Sequence, residues 1–393
     1  MTEYKIIDEA YYPDTMTLAS YAFNKTLSEE RTKLNLEMKK RGYPLGAFQD
    51  GILTSQVVVY HYIASVFGVP YKMGGIGEVA SYPEYRGGGD AGNLMKLALK
   101  TMKENGITIS YLAPFSYRYY RKYGYEQLFD QLILTFEPGE LPKFKGQGKG
   151  KIRRLNLAQG MTDISNVYET YAKAHHGLLM RDEMRYLATQ ARTPNRQFAI
   201  YYNEQNEATG YLVYQMEGET FIIKELITLE QDAFYDLWDF VRGHGMSFKQ
   251  FQYITTPEQN IAYLLDENTI KQEIKADMMG RIVDFVPFIQ AYPFAADLEN
   301  NLYLSVSDQT APWNEGLWKL AVKNGKGSLT KFEGIAPKEK MIEGSIQSFT
   351  QLFFNYRDAA TLQQFGRVLA SEEALALLAT VLPKGKPELY DYF

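Results

Sequence analysis

Cysteine is absent from the chain, which excludes disulfides, thiolate metal sites and a cysteine nucleophile. Long apolar runs are missing too. The nearest, Ala374 to Leu382, falls far short of the ~18 residues needed to span a bilayer. The opening MTEYKIIDEAYYPD has no basic start followed by an apolar core, so no secretory signal is expected. Histidine is scarce, at four residues. The adjacent His175 and His176 share no helix face and have no third ligand nearby, so no metal site is expected. Nor is there a basic excess: 42 Lys and Arg against 47 Asp and Glu leave a net charge of −5, which argues against a nucleic-acid partner. These absences predict a soluble, cytoplasmic protein without metal, membrane or nucleic acid.

What is present is ordinary for packed cores. Hydrophobic residues make up 45% and aromatic residues 14% of the chain, too many for disorder. At 393 residues it exceeds one typical core, so two or three domains are expected.

The chain is organised around Gly77 to Tyr125. Glu78-Val79-Ala80-Ser81 reads as a strand that stops at Pro83. Arg86-Gly87-Gly88-Gly89-Asp90-Ala91 follows, then a helical pattern with Ala91, Leu94, Met95, Ala98 and Met102 on one face. Asn105-Gly106 suits a left-handed cap, and Ile107, Ile109 and Tyr111 alternate as a following strand. A glycine turn opening a helix is an anion site, because the first helical N–H groups lack internal partners and the dipole is positive there. Glycines admit close approach of a phosphate, and Arg86 adds a fixed cation. The dinucleotide fingerprint and the P-loop are both absent.

Before this stretch, Tyr4 to Ile7 reads as a strand, Asp14 to Tyr21 and Ser28 to Arg41 as helices, and Gln56 to Tyr60 as a central strand. Pro138 to Gly150 reads as a linker. From Lys151 to Asp284 the order repeats: strands at Phe198 to Tyr202, Tyr211 to Tyr214 and Phe221 to Ile227, a helix from Gln231 to Arg242, and a strand at Phe251 to Ile254. Leu229-Glu230-Gln231-Asp232 stands where the first copy has glycines, and acids there repel a diphosphate. The second copy therefore reads as degenerate. Beyond Phe285, Leu302, Leu304 and Val306 alternate, Leu317 to Val322 is another strand run, and Asn324-Gly325 signals a hairpin. Helices are expected at Ser345 to Asn355, Ala359 to Leu369, and Ala374 to Leu382 with Ser371 as N-cap. Trp313 and Trp318 are expected in the third core.

The stretch Arg86-x-x-Gly89-x-Ala91 between strand and helix resembles the acetyl-CoA site of the GNAT acetyltransferases. Tyr120-x-x-x-Gly124-Tyr125 resembles that family's Tyr-x-x-x-Gly-Tyr/Phe segment. With the Arg281-Ile282-Val283-Asp284 opening of the third domain and a terminal Phe393, the whole chain resembles the Eis (enhanced intracellular survival) family. The resemblance implies an α/β fold of two tandem GNAT-like domains with mixed, partly parallel sheets, then an α+β domain of sterol-carrier type. The expected boundaries are 1–150, 151–284 and 285–393. It further implies acetyl-CoA-dependent N-acetylation of a cationic small-molecule amine (aminoglycoside or polyamine), by direct transfer through a tetrahedral intermediate, in a hexamer.

In the roles so implied, the Phe393 carboxylate takes the substrate proton and Tyr120 protonates the departing thiolate. Val79, Ala80, Ser81, Arg86, Gly87, Gly88, Gly89, Asp90, Ala91 and Gly92 hold the cofactor. The chemistry is consistent with this: an α-carboxyl near ~3.5 needs burial to serve as a base for an ammonium, and Leu389, Tyr390, Tyr392 and Phe393 are bulky. A tyrosine near ~10 and a thiol near ~8.5 are close enough for proton transfer. The chain departs from many Eis proteins at Gly87 and Gly88, where further arginines are common, and at Tyr392, where an acid is. The alternative is a non-catalytic binder of CoA or of an apolar ligand.

Overall fold

The computed structural model describes residues 2–146 and 148–393. The chain opens with β1 (Glu3–Ile6), α1 (Tyr12–Phe23) and α2 (Glu29–Lys40). Pro13 lies in the first turn of α1, where a missing N–H is harmless. The Ser28 hydroxyl caps α2 by accepting from the Arg31 N–H. An antiparallel meander follows: β2 (Tyr43–Gln49), β3 (Ile52–Val66) and β4 (Val69–Ser81). Then come α3 (Asp90–Glu104), β5 (Ile109–Leu112), α4 (Tyr117–Arg121), β6 (Glu126–Gln127) and β7 (Asp130–Phe136).

The second repeat holds β8 (Lys151–Leu155), α5 (Leu157–Ala174), α6 (Glu183–Arg192), β9 (Gln197–Tyr202), β10 (Ala208–Glu217) and β11 (Thr220–Thr228). It continues through α7 (Gln231–Arg242), β12 (Gln250–Thr255), β13 (Lys271–Ala276) and β14 (Met279–Ile282). The last part is α8 (Phe285–Ala291), β15 (Leu302–Ser307), β16 (Gly316–Lys323), β17 (Lys326–Lys331), β18 (Met341–Ser345), α9 (Ile346–Phe353), α10 (Ala359–Gln364), β19 (Val368–Ala370) and α11 (Glu372–Val381). No helix among the described residues is long and apolar enough to cross a membrane.

Strand order is β1-β2-β3-β4-β5-β14-β6 in the first sheet and β13-β7-β12-β11-β10-β9-β8 in the second. Matching β1 to β8 makes the two orders the same. The sixth strand of each sheet comes from the stretch of chain that follows the other repeat's main body. β14 lies antiparallel to β5, with Met279 opposite Leu112, and β7 lies antiparallel to β12, with Ile133 opposite Ile254. Contacts accordingly divide the chain into one unit running up to Phe129 with Asp277–Pro387 and Asp391–Phe393, and another of Asp130–Ala276 with Glu388–Tyr390. Limits drawn at 150 and 284 differ from these, because β7 precedes the linker and β14 precedes residue 285. Arg281 to Val283 thus belongs to the edge region of the first sheet.

In the first unit, α3 buries Leu94, Met95, Leu99 and Met102 against Leu45, Val57, Val59 and Ile76. Each such side chain contributes roughly 1.5–3 kcal/mol. The third sheet, β17-β16-β15-β18-β19, belongs to the same unit. Leu302, Leu304 and Val306 are buried at the expected alternate positions of β15. Asn324 and Gly325 take positive φ of 53° and 68°, as a hairpin turn requires. The expected helix over Ala359 to Leu369 is shorter. Gly366, at φ 67°, ends it, and Val368–Ala370 pairs with β18 instead. Trp318 is buried as expected. Trp313 packs against the core under α3, and its indole N–H donates to the Val283 carbonyl at 2.8 Å.

In the second unit, strand alternation splits the core in two. Phe198, Ile200 and Tyr202 face α5, while Ala199 and Tyr201 join the core under α7 with Leu237, Trp238 and Val241.

Candidate active site

Two features of β4 open the first sheet. Its parallel pairing with β5 ends at Ile76, opposite Leu112. Beyond that point, the β5-facing edge of Gly77–Ser81 has no strand partner among the described residues. The register with β3 also slips here: Val58 lies opposite Gly77 but Gln56 opposite Ala80. β4 therefore carries one extra residue, a β-bulge at Glu78–Val79. Glu78 takes φ 49°, a left-handed conformation costing about 1–2 kcal/mol in a residue with a Cβ. Ser81, the end of the strand, has its hydroxyl bonded to Ser55 at 2.8 Å.

The chain then passes Arg86 into the glycine turn. Gly87 and Gly89 have φ of 93° and 85°, which only glycine adopts without strain. A Cβ built on either would meet nothing within 4 Å, so the space above the turn is open. Gly89 is the N-cap of α3 and no side chain caps that end. Its first N–H groups face a cleft of about 480 Å³ lined by Ser81, Arg86, Gly87, residues 89–93, Lys96, Tyr119 and Tyr123, but not by Gly88. An open helix start with two cations and a glycine floor fits a diphosphate. Gly88 also lies in this turn. A Cβ at Gly92 would stand 2.6 Å from the Tyr123 hydroxyl, so glycine is needed there for close packing. The Asp90 carboxylate is buried and turned away, accepting from Tyr4 at 2.6 Å and Gln49 at 3.3 Å. Both of its oxygens are thus engaged by neutral donors, and its backbone N–H lies with that of Ala91 at the uncapped helix start.

Tyr120 sits in α4, which Ser116 caps by accepting from the Tyr119 N–H. It is 2% exposed and ringed by Phe115, Tyr119 and Tyr125, with centroids 5.2, 5.1 and 6.3 Å away. Burial pushes its phenol well above the ordinary tyrosine value, and Tyr125 and Tyr392 add to the effect. The side chain is therefore neutral across the physiological range, and its gap to a thiol is wider than that of an ordinary tyrosine.

The last residue returns to β4. Phe393 is 9% exposed, and its ring lies 5.2 Å from that of Tyr62. A Cβ at Gly75 would be 2.8 Å from two of its ring carbons, and one at Gly77 would be 3.8 Å from its carboxyl carbon. Gly75 thus leaves room for the Phe393 ring, while a Cβ at Gly77, one residue before the bulge, would have the Tyr60 ring as its close neighbour at 2.8 Å and the Phe393 carboxyl carbon in ordinary contact. Tyr392 is more than half exposed.

Sequence reasoning missed Lys96, which one further turn of the α3 pattern would place on the cleft face. It also missed Lys39, whose charged helix gives no hint of burial. The α7 start in the second unit has acids where the first has glycines. Glu230 is its N-cap residue, accepting from Thr209 at 2.7 Å, and burial, with Asp232 and Asp239, raises the Asp236 carboxyl.

Comparison with known proteins agrees with this architecture. Residues 3–128 and 177–282 each match a model described as an acetyltransferase (GNAT) domain, and residues 286–390 a sterol carrier protein domain. No curated protein sequence matches the chain. Among solved structures, a conserved protein of unknown function and probable N-acyltransferase from Enterococcus faecalis is 34% identical over 100% of both chains, with a TM-score of 0.94. A GCN5-related N-acetyltransferase from Anabaena variabilis is 21% identical over 100% of both chains, at a TM-score of 0.87. Eis1 from Mycobacterium abscessus is 16% identical over 100% of both, at 0.82. The chain belongs to the tandem GNAT acetyltransferases, with two GNAT domains followed by a sterol carrier protein domain.

Proposed function

We propose that the first GNAT domain transfers acetyl from acetyl-CoA to the amine of a small cationic molecule, such as an aminoglycoside or polyamine. Acetyl-CoA supplies an activated acetyl thioester. The observation that carries this reading is the docking of the Phe393 ring on Gly75 of β4, the strand whose last residue, Ser81, lines the cleft at the start of α3.

Backbone N–H groups of Gly87, Gly88, Gly89, Asp90, Ala91 and Gly92, with Arg86 and Lys96, hold the diphosphate. The opened edge of Val79, Ala80 and Ser81 orients the acyl chain, and an N–H there steadies the negative charge that builds on the carbonyl oxygen. The Phe393 carboxylate takes one proton from the substrate ammonium, freeing the nitrogen lone pair to form the C–N bond. As the C–S bond breaks, Tyr120 gives its proton to sulfur and recovers one released by the acylated nitrogen. The products are the N-acetylated amine, the CoA thiol and one proton. The Tyr62 ring, packed on the Phe393 ring, and the half-exposed Tyr392 are aromatic faces of the kind that suit a cation. A cytoplasmic hexamer is the assembly and location that fit the family.

A thiol-release assay over a panel of cationic amines tests this. Tyr120→Phe and deletion of Phe393 are each expected to lower kcat by ~10²–10⁴-fold, with acetyl-CoA binding retained. Acetyl-CoA binding without release for any amine would favour a carrier instead.

A further inference from the structure

Glu78 is the carboxylate nearest in sequence to the opened edge of β4, and its surroundings assign it a task other than proton transfer. Its Oε2 lies 2.7 Å from the Lys39 ammonium and accepts from Gln56 at 3.2 Å, while its Oε1 accepts from the Tyr60 hydroxyl at 2.9 Å. Lys39 has no exposed surface at all. It also donates to Thr15 Oγ1 at 2.7 Å and reaches Met16 Sδ at 3.1 Å. The three ammonium hydrogens thus have three acceptors, drawn from α1 and from the bulge. Both carboxylate oxygens are engaged, one of them by a buried cation, which fixes the side chain in place.

The second unit repeats the ion pair, though Glu225 does not share the positive φ of Glu78. Glu225 lies two residues past the last parallel pair of β11 with β12, Ile223 opposite Tyr253, as Glu78 lies two past Ile76. The β10–β11 register also slips here, between Val213 and Tyr214. Glu225 is gripped by Arg181 through two bonds of 2.9 and 2.7 Å, and the Tyr211 hydroxyl donates to it. Acid, buried cation and tyrosine therefore occur together at a bulge whose following helix has acids in place of the glycine cradle. A group kept where the cradle is missing belongs to the bulge, not to the chemistry.

We propose that Lys39 is a positioning residue for acetyl transfer. Through Glu78 it ties α2 and α1 to the bulge, holds Glu78 at positive φ, and so fixes the backbone of Val79 and Ala80. The base is left to the Phe393 carboxylate. This rests on the acetyl-transfer reading given above. Removing either charge leaves the other buried and unpaired, which is costly, whereas removing both is tolerated when the shape is kept.

The test is the cycle Lys39→Met, Glu78→Gln and the double variant in the full chain, assayed with acetyl-CoA and an accepted amine. Each single variant is expected to lose ~10–100-fold in kcat through displacement of the bulge. The double variant recovers to within about tenfold of wild type, and the acidic limb of kcat/KM keeps its midpoint in Glu78→Gln. A Glu78→Gln enzyme that loses the acidic limb, or a double variant no better than it, overturns the brace and leaves the transferase reading standing. A wild type that releases no thiol with any amine sinks the transferase reading instead. In that case the brace is decided by hydrogen exchange at the Val79 and Ala80 amides. Protection lost in Lys39→Met and regained in the double variant supports it, and unchanged protection overturns it.

Discussion

Replacing Gly75 with alanine should disable the enzyme without touching any reacting group. The new Cβ would stand 2.8 Å from Cδ2 and Cε2 of Phe393 and 2.8 Å from Cε2 of Tyr62. Carbon atoms pack at ≈ 3.5–4.0 Å, so one of the rings must retreat by about 1 Å. Tyr62 belongs to β3 and is held by the strand on both sides. Phe393, whose ring reaches Gly75 from outside the strand, is the one expected to yield. Its carboxyl carbon, now 3.8 Å from the Cβ position of Gly77, moves with it. A misplacement of that size costs on the order of 10² in rate, about 2.7 kcal/mol of barrier. Overpacking itself costs ~1–3 kcal/mol of stability, which a large, multi-sheet core tolerates. The assay is thiol release at saturating acetyl-CoA beside calorimetric acetyl-CoA binding. The expected result is kcat down ~10²-fold with binding unchanged, since the glycine turn is untouched. A folded Gly75→Ala protein with wild-type kcat would refute the argument that the terminal residue is the base.

Three other outcomes follow from the same geometry. Gly89→Ala forces a side chain into φ 85° with no atom within 4 Å, so the strain is in the backbone alone. At ~1–2 kcal/mol acetyl-CoA affinity should weaken roughly tenfold by calorimetry while kcat is kept. Arg281→Met leaves the Asp308 carboxylate, 1% exposed and 2.6 Å from its guanidinium partner, without a counter-charge. Denaturant unfolding should show a loss of ~3–5 kcal/mol, reduced when Asp308→Asn is added. Stability should also fall in alkali. Burial raises Tyr71, Tyr111 and Tyr292 well above the ordinary value, and Tyr125, despite Ser110 and Arg281, to about 12. A folded value above the unfolded one stabilises fully below about pH 10 and is lost as pH rises through the folded value. Thermal midpoints should therefore hold to about pH 10 and drop beyond it.

Local pattern carried much of the fold. α7 runs from Gln231 to Arg242 as its periodicity predicts, and Ser28 and Ser371 cap α2 and α11 through their hydroxyls. The glycine turn was legible for the same reason: positive φ and an uncapped helix start are demands on single residues. Partner choice was not legible. Asp130–Phe136 alternates as any half-buried strand would, and nothing in DQLILTF says it completes a sheet built later in the chain. Lys39 was hidden likewise, since Lys39 and Lys40 look alike in a charged helix although the first is wholly buried and the second exposed. Helix propensity over Ala359 to Leu369 yielded to a glycine and to the open edge of β18. The place of Phe393 came from family resemblance, because no local rule fixes where a chain end docks.

The account depends most on the start of α3 gripping a diphosphate. A crystal structure of the full chain with acetyl-CoA should place the diphosphate within hydrogen-bond distance of the N–H groups of Gly89 to Gly92, with the thioester at the Glu78–Val79 bulge. A diphosphate bound elsewhere, or acetyl-CoA held in the second domain, would contradict it.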